Sequence, residues 1–231
     1  MEHLIDLAGQ GDLLTICCAV IEQYSWCDID YYGEYKETDM EFSKSPQTLI
    51  NDGDDSIHDT AVAYNGTHLF LVGGRSTKEY KLVSSIQVYD IANDTWSILE
   101  GTLKTSRENA TATIIKNKLY VTGGFYDNDD AGIRLSRIPL SSTEVFVISS
   151  SSCEPCDDHG IPDLKVWRCD HASVTIKDEI YFLGGWLLGV KDTSSSFESI
   201  NVTTGEVTEL PPLNQARSDF SAVVLDGDII A

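Results

Sequence analysis

The chain has 231 residues, with 16 Lys and Arg against 37 Asp and Glu, and a formal net charge of −21. That balance argues against a nucleic-acid binder, which needs a basic patch to displace counterions from phosphate, and against an anionic membrane surface as partner. With 42% hydrophobic and 9% aromatic residues the chain is not disordered by composition, and its length allows one large all-β domain or two small ones.

The first 55 residues show no clear period. Leu4, Leu7, Leu14, Cys17 and Ile21 are spaced like one helix face, weakened by Gly9-Gln10-Gly11, and a degenerate form of the repeat that follows is the alternative. The apolar run Leu13 to Ile21 is too short to span a bilayer, and the first basic residue is Lys36, so no signal peptide is expected.

From about residue 56 a repeat takes over. Thr60 to Tyr64 and His68 to Val72 are short apolar runs around Asn65-Gly66, a pair that favours a tight type I′ hairpin turn. The second run ends in Gly73-Gly74. A third run spans Ser85 to Ile91, and after Asn93-Asp94 a fourth runs from Trp96 to Leu99. The same entry into a glycine pair recurs at Leu119 to Gly124 and Ile180 to Gly185, with the first glycines 50 and 61 residues apart. Arg107 and Arg168 each stand sixteen residues before the first glycine, and Leu103 and Leu164 each stand four residues before the Arg. Leu213 and Arg217 repeat that spacing, which predicts another hairpin turning at Asp226-Gly227 and a glycine pair at position 233.

Four short strands per roughly 50 residues, each paired to the next, make a propeller blade. Glycine pairs at the end of an inner strand permit backbone angles and approaches that a Cβ would block. Tyr89 and Trp96 are large enough to fill the wedge between neighbouring blades, each with a polar atom in need of a partner. The arginines keep a fixed register, so their expected partners are carbonyls or carboxylates of adjacent blades, in a structural rather than a ligand-binding role.

Gly-Gly after four apolar residues, then Tyr89-x6-Trp96, then Leu103-x3-Arg107, resembles the kelch repeat over about residues 56–231. The third repeat keeps Gly184-Gly185 and Leu213-x3-Arg217, with Ile200 and Val207 replacing the Tyr and Trp. The second has Phe146 for the Tyr and no Trp at the expected place, and the first hairpin has Ile57 where the Arg belongs. The resemblance implies an all-β fold: an incomplete kelch-type β-propeller of about three and a half four-stranded blades, behind an unassigned segment at 1–55. It also implies a protein–protein interaction scaffold or adaptor rather than an enzyme. A rival from another class is a galactose-oxidase-like propeller enzyme or sugar-binding domain of secreted type.

Repeats fix a scaffold, so function is expected where one repeat departs from the others. The stretch from Gly124 to Phe146 is seven residues longer than its counterparts and holds Phe125, Tyr126, Asp127, Asn128, Asp129, Asp130, Arg134 and Arg137. The corresponding loop of the third repeat opens with Trp186-Leu187. Aromatic residues and Arg on exposed loops suit a protein interface, so Tyr126, Asp129, Arg134, Trp186 and Leu187 are the candidate partner-binding residues. For Trp186 and Leu187 the alternative is packing onto a neighbouring blade. The run Asp127 to Asp130 is not an EF-hand, because Ala131 sits where an oxygen ligand is required, and reads as a solvated loop.

Cys153, Cys156 and His159, with Cys169 and His171, include enough ligand types for zinc. Cys169 and His171, however, follow strand alternation, so free thiols are expected, with no metal and no cofactor. The five histidines are scattered, and no hydrolase or nucleotide-binding motif appears. Four Asn-x-Thr sequons, at Asn65, Asn93, Asn109 and Asn201, lack an export signal beside them, and a cytoplasmic location is expected.

Overall fold

In the computed structural model, which describes residues 57–127, 137–149, 153–156, 161–187 and 193–231, every regular element is a short β-strand. Residues 1–55, and with them the domain boundary expected there, lie outside the described residues. β1 (Ile57–His58) leads into a first blade of β2 (Ala61–Tyr64), β3 (His68–Val72), β5 (Ser85–Asp90) and β6 (Thr95–Thr102), with β4 (Arg75–Ser76) after the glycine pair. The second blade is β7 (Thr111–Ile115), β8 (Lys118–Thr122), β11 (Thr143–Ile148) and β12 (Cys153–Pro155). Between β8 and β11 the longer loop begins as a small ladder of β9 (Phe125–Asp127) and β10 (Arg137–Pro139). β13 (Arg168–Cys169) introduces the third blade of β14 (Ala172–Ile176), β15 (Glu179–Leu183), β17 (Phe197–Asn201) and β18 (Val207–Leu210), and pairs with β16 (Trp186–Leu187). A last hairpin, β19 (Val223–Leu225) and β20 (Asp228–Ile230), stands where the inner half of a fourth blade belongs.

Each blade is an antiparallel meander, and the first strands β2, β7, β14 and β19 are neighbours from blade to blade. The second strands read as unbroken apolar runs because both of their faces are covered. Phe70 and Val72 of the first blade pack with Leu119, Val121 and Phe146 of the second. Tyr120 and Val145 of the second pack with Ile180, Phe182 and Ile200 of the third. The core is thus a series of slabs between blades, and each such side chain contributes about 1.5–3 kcal/mol by leaving water. The fourth hairpin contrasts with this, since Val223, Val224, Leu225 and Ile230 are all exposed.

Two local expectations change. Asn65-Gly66 does not form a two-residue type I′ turn: only Gly66 has a positive φ (101°), and the Asn65 side chain accepts the backbone N–H groups of Thr67 and His68. That side-chain capture widens the loop. The expected tight geometry occurs instead at Asp226-Gly227, where both φ angles are positive. Tyr89 and Trp96 are direct partners across β5 and β6, with ring centroids 5.0 Å apart. Tyr89 donates to Asp94 at 2.5 Å, whereas the buried indole nitrogen of Trp96 finds no acceptor. The second blade, which lacks the Trp, has the expected four strands, the fourth built by Cys153–Pro155 against Phe146–Ile148.

Candidate functional site

The glycine pairs and the arginines meet at one end of the blades. The main-chain carbonyl of Arg107 accepts the N–H of Gly74 at 2.8 Å, Arg168 that of Gly124 at 2.9 Å, and Arg217 that of Gly185 at 2.9 Å. The backbone of each Arg therefore fastens its blade to the preceding one. Its side chain turns the other way, into its own blade. Arg107 donates to the carbonyls of Gly123 and Ser142, both at 3.0 Å, and to the Glu144 carboxylate at 2.6 Å. Arg168 donates to the Gly184 carbonyl at 3.0 Å and to Glu198 at 2.5 Å, with both side chains almost fully buried. Burial lowers the pKa of both guanidinium groups, opposed by the facing carboxylate. The expectation of partners in adjacent blades is thus corrected: the carboxylate lies in the same blade as the side chain, and only the backbone reaches across. Arg217 stacks on Phe220, 5.6 Å from the ring centre.

The carboxylates Glu144 and Glu198 follow a signal in the sequence that the Arg spacing obscures. Each lies two residues before the Tyr-equivalent position, Phe146 or Ile200, and Gln87 holds the same place before Tyr89. Where Ile57 replaces the Arg, a neutral Gln replaces the Glu. By repeat register the two exceptions fall at the Arg and Glu positions of the first blade, so the charge is absent there as a pair.

Beside this repeated unit lies a second network with no counterpart among the described residues of the other blades. Arg75, one residue past the first glycine pair, is 6% exposed and donates to both oxygens of Glu108 at 2.6 and 3.1 Å. It also meets Asp127 at 3.0 Å and donates to the Tyr80 carbonyl at 2.8 Å. Glu108, which is 0% exposed, takes a further contact from Arg137 at 2.9 Å. Arg137 is itself 48% exposed and lies over the Phe125 ring, 5.7 Å from its centre. Two positive and two negative groups close the network, and the Glu108 hydrogen bond leads in raising the Arg75 pKa. The reading of Asp127 as part of a solvated loop is corrected, since it sits in β9 as an ion-pair partner.

Of the candidate partner-binding residues, Tyr126 is half-buried in β9 opposite Ile138, while Asp129 and Arg134 lie outside the described residues. Trp186 and Leu187 are half-buried in β16, held against Cys169 and Arg168 of their own blade. Tyr126, Trp186, Arg75 and Arg137 all belong to segments that follow a glycine pair, and so share one end of the blades. Of the cysteine and histidine set, Cys156 packs in the second core, and Cys169 is buried with its thiol 3.9 Å from the Trp186 carbonyl. The His171 ring lies against Phe182, 5.9 Å between centroids. His159 lies outside the described residues.

Comparison with known proteins agrees with this architecture. A family model described as the Kelch motif matches residues 57–101 and 168–214. Kelch-like protein 38 of Danio rerio is 28% identical over 168 residues, covering 71% of this chain and 25% of its own length. Kelch-like protein terF of Aspergillus terreus (strain NIH 2624 / FGSC A1156) is 25% identical over 188 residues, covering 76% of this chain and 38% of its own. The chain thus spans well under half the length of these relatives. The solved structure of YjhT shares the fold, with a TM-score of 0.58 at 13% identity, over 75% of this chain and 58% of that one.

Proposed function

From the premise that this chain is a kelch-repeat protein built as successive propeller blades, we propose that it binds another protein through the loop end that carries the glycine pairs. One observation carries the reading. The Arg75–Glu108–Asp127–Arg137 network ties the loops of two blades into one unit and leaves Arg137, Phe125 and Tyr126 partly exposed on it. A surface fixed in advance loses little conformational entropy on binding, and Arg and Tyr are the side chains that anchor interfaces. Trp186 and Leu187 extend the surface to the third blade. The mechanism is rigid display, with no chemical step and no cofactor. The charge of −21 disfavours nucleic acid and anionic membranes as partners. Among the described residues Cys156 and Cys169 are unpaired thiols, and a cytoplasmic setting is part of the proposal.

A photo-crosslinking residue at Tyr126 is expected to capture a discrete partner, whereas one at Lys116, on the turn between β7 and β8 at the opposite end, is not. Arg137→Glu should weaken that capture about tenfold, as expected for an interface anchor worth 1–3 kcal/mol. Equal capture from Lys116, or capture indifferent to Arg137→Glu, would refute the surface.

A further inference from the structure

Two residues before β2, β7 and β14, and four before β19, stands a residue in the left-handed backbone region: Asp59 (φ 56°), Asn109 (φ 54°), Asp170 (φ 51°) and Asp219 (φ 53°). Asn and Asp tolerate this conformation better than other side chains. The N–H of Asn109 donates to the Asp59 carbonyl at 2.9 Å, that of Asp170 to Asn109 at 3.1 Å, and that of Asp219 to Asp170 at 3.0 Å. These bonds form one ladder across the described blade boundaries, on the inner-strand side.

The side chains of the ladder meet between the second and third blades. Asn109 Nδ2 donates to Asp170 Oδ1, yet the buried Oδ1 of the same amide has no partner. An ionised carboxylate is acceptor-only and cannot satisfy that oxygen. A neutral carboxyl can, because its O–H donates to the amide oxygen while its carbonyl accepts the amide N–H. The surroundings favour the neutral form. Burial foremost, then the charge of Asp219 and finally that of Asp59, push Asp170 up to about 6, against the Cys169 thiol and the Asn109 amide, which favour the ion.

The other groups nearby have partners of their own. Asp59 faces His58 Nδ1 at 2.9 Å, and Asp219 accepts from Ser218 at 3.0 Å. The Arg168 guanidinium is held by Glu198. His171 is kept neutral by burial and by Arg168, with Nε2 on Thr111 at 3.0 Å.

We propose that Asp170 and Asn109 form a proton-operated latch between the second and third blades, closed by an acid–amide pair and loosened when the carboxyl releases its proton to solvent. A carboxyl raised above its unfolded value near 3.9 takes up a proton on folding. Its contribution to stability is full below that value and is lost as pH rises through about 6.

Carboxyl-carbon NMR of aspartate-labelled protein should show one resonance titrating near pH 6, absent in Asp170→Asn. Between pH 5 and 7.5 the folding equilibrium of the wild type should weaken about tenfold more than that of Asp170→Asn. Asp219→Asn, at an exposed position, should keep the resonance and move its midpoint to lower pH. The latch is overturned if no aspartate titrates between pH 5 and 7, if Asp170→Asn keeps the wild-type pH dependence, or if Asp219→Asn leaves the midpoint unmoved.

Discussion

Glu198→Ala is expected to destabilise the protein by about 3–5 kcal/mol, because it leaves the Arg168 guanidinium buried without its counter-charge. Arg168 is 0% exposed, and its remaining acceptors are the carbonyls of Gly184 at 3.0 Å and Ser196 at 3.5 Å. Its Nε already lacks a partner, so no spare acceptor compensates for the lost carboxylate. Glu198 also accepts the N–H of Lys165 at 3.1 Å, which the substitution leaves unsatisfied. Removing both charges should cost much less than removing one. The first blade shows the neutral version, with Ile57 and Gln87 buried at the equivalent positions. The double variant Arg168→Ile, Glu198→Gln is therefore expected to recover more than half of the loss. Urea unfolding of the two single variants and the double one measures this as a coupling energy. A loss below about 1 kcal/mol for Glu198→Ala, or a double variant no better than the single ones, would refute a buried, mutually dependent pair.

What the sequence revealed and what it hid have the same geometric origin. Gly73, Gly123 and Gly184 recur because a main-chain approach leaves no room for a Cβ, and Arg107 and Arg168 recur because each joins two blades. Features imposed by repeat geometry leave a period that can be counted. Glu144 escaped the count because the longer loop between β9 and β10 moves it seven residues further from Arg107 than Glu198 is from Arg168. Its distance from Phe146 is unchanged, so strand register would have found it. The Arg75–Glu108–Asp127–Arg137 network left no period, because Arg75 occupies the place of Phe125 and Trp186, and Glu108 that of His58 and Cys169. It is assembled by contact between blades at positions where the repeats differ. The Asp59–Asn109–Asp170–Asp219 ladder is the opposite case: it is periodic, two residues after Ile57, Arg107, Arg168 and Arg217, yet its short polar residues resemble ordinary loop composition.

Gly123→Ala should be among the most damaging single-methyl changes in the chain, at roughly 3 kcal/mol or more. Part of the cost is conformational: at φ 67° an L-residue with a Cβ is disfavoured by about 1–2 kcal/mol. The larger part is contact. A Cβ at Gly123 would lie 2.6 Å from the Arg168 carbonyl oxygen and 2.8 Å from His171 Cε1. The carbonyl cannot retreat freely, since it accepts the N–H of Gly124 at 2.9 Å and belongs to the residue whose side chain is anchored on Glu198. Moving it breaks a blade-to-blade hydrogen bond and opens the slab between Tyr120 and Phe182. Gly227→Ala is the matched control, because Gly227 has φ 90° but nothing within 4 Å of its would-be Cβ. It should show only the conformational cost of about 1–2 kcal/mol. The difference between the two variants in thermal or urea unfolding isolates the price of the close approach. Equal losses would mean that backbone angle alone selects glycine at the end of the second strand, and that the contact with the next blade yields without cost.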